Sequence, residues 1–164
     1  MAFKYSIILT SVTPPGTALT NAFAALKPAT TAGAAGSVCG VSEISLSGQS
    51  ASSVAFVASL QRAHSVTLAD ASPPTAASLS PFAPAAASTS DGATATVATG
   101  QTAVGGIIIN LGFNAFGGAY RWVAPPGSEI LVTTAAGGNT NHALLLFSSL
   151  GAPAISGHII FEEL

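Results

Sequence analysis

Apolar and polar residues alternate along residues 3–12 with the period of two that is typical of a β-strand. Phe3, Tyr5, Ile7 and Leu9 therefore share one face of this predicted strand. Similar short segments recur along the chain and are separated by turn residues. They predict strands at residues 3–12, 37–48, 53–63, 106–113, 117–123, 128–134, 143–147 and 156–163, with a shorter edge strand at 93–99. Eight or nine short strands within one domain, residues 1–164, predict an all-β fold, either an antiparallel β-sandwich or a barrel.

Some segments support more specific expectations. In the second predicted strand, Ile44 and Leu46 are expected on one face, and Val41 with Glu43 on the other. Residues 106–113 are apolar without alternation, which predicts a buried strand. The best helix candidate is residues 21–26, which amounts to only about a turn and a half.

The segment at residues 117–134 contains the only Trp of the chain and is predicted to form a hairpin. Pro126 and Gly127 fit a type II turn, because proline presets φ at its second position and glycine supplies positive φ at its third. In the first strand of the hairpin, Tyr120 and Trp122 fall on one face and Arg121 on the other. An aromatic pair on one face of a strand favours a core position over a sugar-binding platform. Arg121 is expected to pair with Glu129 across the hairpin.

Residues 70–92 break the pattern of strands. This segment is rich in proline and alanine, has almost no β-branched residues, and is incompatible with a central strand. It is predicted to be an extended loop, either ordered against a partner or disordered. The candidate partner-binding residues in it are Pro73, Pro74, Pro81, Phe82 and Pro84.

The charge of the chain limits the classes of partner. Charged residues make up only 6% of the sequence, against roughly 25% in an ordinary soluble domain. A surface so poor in charge is better suited to being covered by other protein than to a free monomer. The net charge of −2 and the mean hydropathy of +0.59 argue against disorder. The four cations are scattered and the apolar runs are short, so neither nucleic acid nor a membrane is an expected partner.

Candidate chemistry is sparse. His64, His142 and His158 could meet at a metal ion with Glu43 or Glu129, but no two of them have ligand spacing, and surface or strand-end positions are favoured. The single Cys39 permits no internal disulfide and suggests a small buried residue. The sequence contains no nucleophile elbow and no phosphate-binding glycine motif. The expectation is therefore a protein that is not an enzyme and uses no metal or other cofactor.

The order of several segments resembles a known group of proteins. The opening YSIILTSV, the phrase VSEISLSGQS followed by FVASLQRAHSV, the Pro/Ala-rich loop, YRWVAPPGSEILV and the closing SGHIIFEE are similar to capsid decoration (cement) proteins of tailed bacteriophages. The resemblance is one of pattern and covers nearly the whole chain. It implies a jelly-roll sandwich, often trimeric, seated on the outside of an icosahedral head. No catalytic residue is carried over by it.

This resemblance implies a virion protein that stabilises the head by bridging subunits of the major capsid protein. Its partners would be that protein and copies of itself in a homotrimer, and its location the capsid surface. Two other classes remain open. A phage receptor-binding or head-fibre module recognising surface carbohydrate would expose Tyr120 and Trp122 beside polar loops, and a cupin-like metalloenzyme would bring the three histidines together.

Overall fold

The computed structural model describes residues 3–18, 22–28, 38–64, 77–78, 91–93, 102–133 and 142–164. These residues form two antiparallel β-sheets packed face to face, and they contain no helix. The strands are β1 (Phe3–Val12), β2 (Ala22–Lys27), β3 (Val38–Gly48), β4 (Ala55–His64), β5 (Ala77–Ser78), β6 (Asp91–Ala93), β7 (Thr102–Asn114), β8 (Ala119–Val123), β9 (Ile130–Thr133), β10 (Ala143–Leu150) and β11 (Ile155–Glu163). The predicted all-β sandwich is confirmed, with eleven strands in the described residues because β2, β5 and β6 add to the eight predicted strands that are present.

The two sheets have different strand orders. Sheet A runs β5-β1-β11-β3-β8, and β9 also pairs with β3. Sheet B runs β6-β2-β10-β4-β7. Connections between sequential long strands therefore cross from one sheet to the other, except from β4 to β7, which both lie in sheet B, and from β8 to β9, which both lie in sheet A.

The main core lies between the sheets and follows the alternation of the sequence. Tyr5, Ile7 and Leu9 are buried there, as predicted for the first strand. Phe56 on β4 contacts the rings of Phe23 and Phe113, with centroid separations of 6.3 and 5.2 Å. These aromatic contacts join three strands of sheet B into one packed layer.

The predicted helix at residues 21–26 is wrong, because the chain forms strand β2 there. Ala22, Phe23, Ala24, Ala25 and Leu26 are all buried. A strand that is buried on both faces shows no alternation, so its sequence cannot be distinguished from a short buried helix by periodicity.

A second apolar cluster explains this double burial. It lies on the face of sheet B that points away from the main core, as the alternation along β10 requires. Its members are Ala22, Ala25, Ala63, Ala143, Leu145 and Phe147. Because these residues are buried, this part of the outer face of sheet B is not a free surface.

The predicted position of Val41 is also wrong. Val41 is buried in the core with Ile44, whereas Glu43 points outward. The reason is a β-bulge: between Val41 and Glu43 the strand β3 advances by two residues while β11 advances from Phe161 to Ile160 by one. The extra residue, Ser42, shifts the alternation by one position.

The predicted hairpin at residues 117–134 is corrected in its pairing. The turn itself is present, with the Ser128 amide donating to the carbonyl of Pro125 at 2.9 Å and a φ of 76° at Gly127. However, β8 and β9 do not pair with each other. Both pair with β3, β8 along its second half and β9 along its first, so residues 124–129 form an excursion between two collinear strands.

Two further expectations need correction. Residues 106–113 lie in β7, the terminal strand of sheet B among the described residues, and of these eight residues only Leu111 is buried. The predicted loop at 70–92 contains the short strand β5, paired with the edge of β1, and the first two residues of β6. The candidates Pro73, Pro74, Pro81, Phe82 and Pro84 lie outside the described residues. So does most of the predicted strand at 93–99, of which Ala93 belongs to β6.

Candidate interaction surface

The outward face of sheet A is the broad sheet face that remains exposed in the described structure. Alternation and strand register place the outward side chains of β1, β11, β3, β8 and β9 side by side on it. We call this surface the A face. Its main members are Lys4, Ile8, Glu43, Ser45, Arg121, Val123, Leu131, Ser156, His158, Ile160, Glu162 and Leu164. Ser6 lies in the same row as Ile160 but is buried.

A charged cluster occupies the middle of the A face. The Arg121 guanidinium donates two hydrogen bonds to Glu43, from Nε to Oε1 at 2.7 Å and from Nη2 to Oε2 at 2.8 Å. His158 Nε2 lies 3.0 Å from the same Glu43 Oε1. Arg121 and His158 are the cross-strand neighbours of Ser45, so both reach Glu43 along the diagonal of the sheet. The expected pairing of Arg121 with Glu129 is therefore wrong, since Glu129 instead accepts a hydrogen bond from the amide of Gly127.

This cluster changes the acidity of Glu43. The hydrogen bond from Arg121, helped by His158 and by the positive charge of Arg121, lowers the pKa of Glu43 from its ordinary 4.5 to about 2, although burial opposes the shift. The carboxylate is thus held ionised, and both of its oxygens are occupied. The arrangement neutralises charge and fixes the geometry of the face. It contains no activated nucleophile.

We expect the Glu43 cluster to stabilise the fold in a pH-dependent way. A lowered pKa in the folded state gives stability that is complete above about pH 4.5 and is lost as the pH falls toward 2. Glu43→Gln should therefore lower the free energy of unfolding near neutral pH. The loss should be only about 1 kcal/mol, because Arg121 is largely exposed and the pair is screened by solvent. Urea titrations of both proteins between pH 7 and pH 2 measure this difference, which should shrink in the acid range.

The matched control for this prediction is Glu162→Gln. Glu162 pairs with Lys4 at 3.0 Å at the rim of the same face, in a single contact with an exposed partner. Its loss should change stability less than the loss of Glu43. A Glu43→Gln difference that stays constant down to pH 2 would contradict the assigned role of the cluster.

Apolar side chains surround the charged cluster. Of the eight large hydrophobic residues that are exposed in the described structure, four belong to the A face, namely Ile8, Val123, Leu131 and Leu164. Half-buried Ile160 lies between Ser6 and Glu43 in the same cross-strand row as Val123. An exposed sheet face with several large apolar groups and internally paired charges is typical of a protein-binding surface.

The aromatic pair of β8, Tyr120 and Trp122, lies on the opposite face of sheet A. Tyr120 and Trp122 stand opposite Leu46 and Ile44 on β3, so they face the layer between the sheets. Trp122 is partly buried and packs against the core. Tyr120 is 38% exposed at the margin of the sandwich. The packing of Trp122 favours the core interpretation over a sugar-binding platform.

The histidines do not converge in the described structure. His64 and His142 have ring centroids 6.4 Å apart, at the ends of neighbouring strands β4 and β10. His158 belongs to the separate cluster on the A face. Within the described ranges, no three His, Cys, Asp or Glu side chains form a group that could hold a metal ion. Cys39 is buried in the main core, as predicted.

Comparisons of the chain with known protein families, curated proteins and solved structures found no match. No family model matches the chain, and no curated protein or solved structure matches it. The described residues also include no helix with the length and hydropathy of a membrane span.

Proposed function

We propose that this chain is a virion structural protein, a capsid decoration (cement) protein that binds the outside of an icosahedral bacteriophage head. In this proposal it bridges subunits of the major capsid protein, acts as a homotrimer and resides on the virion surface. The observation that carries the proposal is the A face, because a chain with so few charges exposes on one sheet face several large apolar groups around an internally neutralised cluster. That the bound surface is an icosahedral phage head is inferred from the sequence resemblance.

The strand pairing supports the jelly-roll part of the proposal. In a jelly roll, a long antiparallel hairpin is rolled into two sheets. The first strand of the chain therefore pairs with the last, the second with the one before the last, and so on toward the middle of the chain. Here β1 pairs with β11, β2 with β10, β3 with β8, and β4 with β7. These four nested pairs alternate between sheet A and sheet B.

The mechanism in this proposal is mechanical. A protein that binds only the assembled shell lowers the free energy of that state, and many copies add their contributions. Copies joined to one another bind with a higher effective concentration, so weak individual contacts are sufficient. The A face suits this role because Glu43, Arg121 and His158 already satisfy one another and require no charged partner.

Heads that lack this protein are expected to lose their contents at lower temperature and under milder osmotic shock than complete heads. Adding the wild-type protein should restore resistance. Val123→Lys should not restore it, because this change places a new charge beside the apolar part of the A face. Leu150→Lys, a substitution of an equally exposed residue outside that face, is the control and should restore resistance. Equal resistance of heads with and without the protein would overturn the proposal.

A further inference from the structure

The charged cluster on the A face contains a side chain that can change its charge near neutral pH. Histidines in proteins commonly titrate between about pH 5 and pH 8. The side chain of His158 is 35% exposed, so it exchanges protons with water. We propose that docking of the A face on the phage head releases a proton from His158, so that binding weakens as the pH falls. This inference rests on the proposed function, because it concerns the same surface.

The two ring nitrogens of His158 have different roles in the cluster. Nε2 lies 3.0 Å from Glu43 Oε1, which also accepts a hydrogen bond from Arg121 Nε at 2.7 Å. The pKa of Glu43, about 2, keeps its carboxylate ionised throughout the range in which histidines titrate. An ionised carboxylate only accepts hydrogen bonds, so Nε2 carries a proton in both charge states of the ring. Nδ1 is therefore the atom that gains or loses the proton, and the bond to Glu43 is kept in both states.

The proton on Nδ1 changes the net charge of the cluster. Arg121 balances the charge of Glu43 through two hydrogen bonds. With a neutral His158 the cluster therefore has no net charge. With a protonated His158 it has one positive charge in excess. The geometry of the face stays the same in the two states, and only its charge differs.

The other charged groups near this face do not compensate for that charge. Along β1 and β11, the strands on that side of the cluster, Lys4 and Glu162 bond to each other at 3.0 Å, two cross-strand rows away from His158. Glu129 lies in the excursion between β8 and β9, where it accepts a hydrogen bond from the amide of Gly127. Carboxyl groups ordinarily titrate near pH 4, below the range of histidine.

A partner that covers the apolar groups of the A face also covers His158. Ile8 stands directly opposite His158 on β1, and Val123 lies on β8, two strands from β11 on the other side. These two side chains are 55% and 49% exposed. A shell surface in contact with both therefore removes His158 from water. Burying an unbalanced charge costs more free energy than burying a neutral imidazole, so the docked state favours the neutral ring.

The test measures binding of the purified full chain to undecorated phage heads at about pH 7.5 and about pH 5.5. The wild-type protein is compared with His158→Gln, because glutamine keeps an Nε2 donor for Glu43 but cannot gain a charge. The dissociation constant of the wild type should rise at the lower pH by about fivefold or more beyond any change seen for the variant. Titration of the heads themselves affects both proteins equally, so the comparison isolates His158.

His142→Gln is the matched control, since His142 is a partly buried histidine beside β10 in sheet B, outside the A face. It should keep the full pH dependence. His158→Lys has a fixed charge and should bind at both pH values as weakly as the wild type does at the lower one. Calorimetry at about pH 6.5 in buffers of different ionisation enthalpy should detect protons released on binding by the wild type and none by His158→Gln.

Several results would overturn this inference and leave the decoration proposal intact. They are equal pH dependence of the wild type and His158→Gln, loss of the pH dependence in His142→Gln, and binding of the wild type without proton release. The last of these requires no variant, and circular dichroism at both pH values should show that the variants are folded. Failure of the wild type to bind heads at either pH would instead overturn the decoration proposal, and this inference with it.

Discussion

Leu46→Ala is expected to lower the free energy of unfolding by about 2–5 kcal/mol. Leu46 is completely buried on β3, an interior strand of sheet A, where it belongs to the main core. Removing its side chain withdraws apolar contacts and leaves a cavity that the neighbouring strands cannot close. Urea denaturation of wild type and variant at one protein concentration measures the difference, because self-association would otherwise add to apparent stability.

The control for this prediction is Leu150→Ala, which removes the same atoms from a half-exposed position. Its effect should stay within about 0.5 kcal/mol. Similar losses for the two variants would mean that Leu46 is not in the packed interior, and the described sandwich would then be incorrect.

Gly157→Ala is expected to destabilise the protein by about 3 kcal/mol. Gly157 lies on β11 opposite Leu46, and a Cβ at this position would overlap the carbonyl oxygen of Ser45. The obstacle is main chain, so β11 and β3 must move apart and their hydrogen bonds must weaken. Thermal denaturation followed by circular dichroism measures the effect as a lowered midpoint.

Gly112→Ala is the matched control in a strand. A Cβ there would lie 3.7 Å from Val57 Cγ2, which is an ordinary van der Waals distance. The substitution should be neutral or slightly stabilising, because alanine restricts the unfolded chain. If Gly157→Ala were as well tolerated as this control, the close approach of β11 to β3 would be refuted.

Sequence alternation was sufficient to predict strands that have one face in the core. The pattern Tyr5, Ile7, Leu9 gave the correct inward face of β1, and the bounds of β1 and β3 agree with the predicted ones within a residue. Alternation failed for β2, since residues 22–26 are apolar toward the main core and also toward the second cluster. It failed for Val41 because a single bulge residue reverses the assignment of faces.

The interaction surface could not be predicted because it depends on which strands become neighbours. Arg121 and Glu43 are 78 residues apart, and their contact requires β8 to pair with β3 rather than with β9. A turn at Pro126 and Gly127 is compatible with a hairpin and equally with an excursion between collinear strands. The local sequence identified the turn. It could not show that β3 is long enough to pair with both β8 and β9, so that the turn joins collinear strands.

The same dependence on topology applies to β7. Its apolar run, Ile107, Ile108 and Ile109, is typical of a strand covered on both faces. The strand is instead terminal in sheet B and half exposed. Periodicity cannot show which strand ends a sheet, so the exposure of β7 could not be predicted from its sequence.

The most direct test of the decoration proposal is a titration of purified wild-type protein onto undecorated phage heads, with the bound amount measured after sedimentation. Binding is expected to saturate at a fixed number of copies per head. Val123→Lys should weaken this binding, and Leu150→Lys should leave it unchanged. Absence of binding, or uptake that rises with concentration without reaching a plateau, would contradict it.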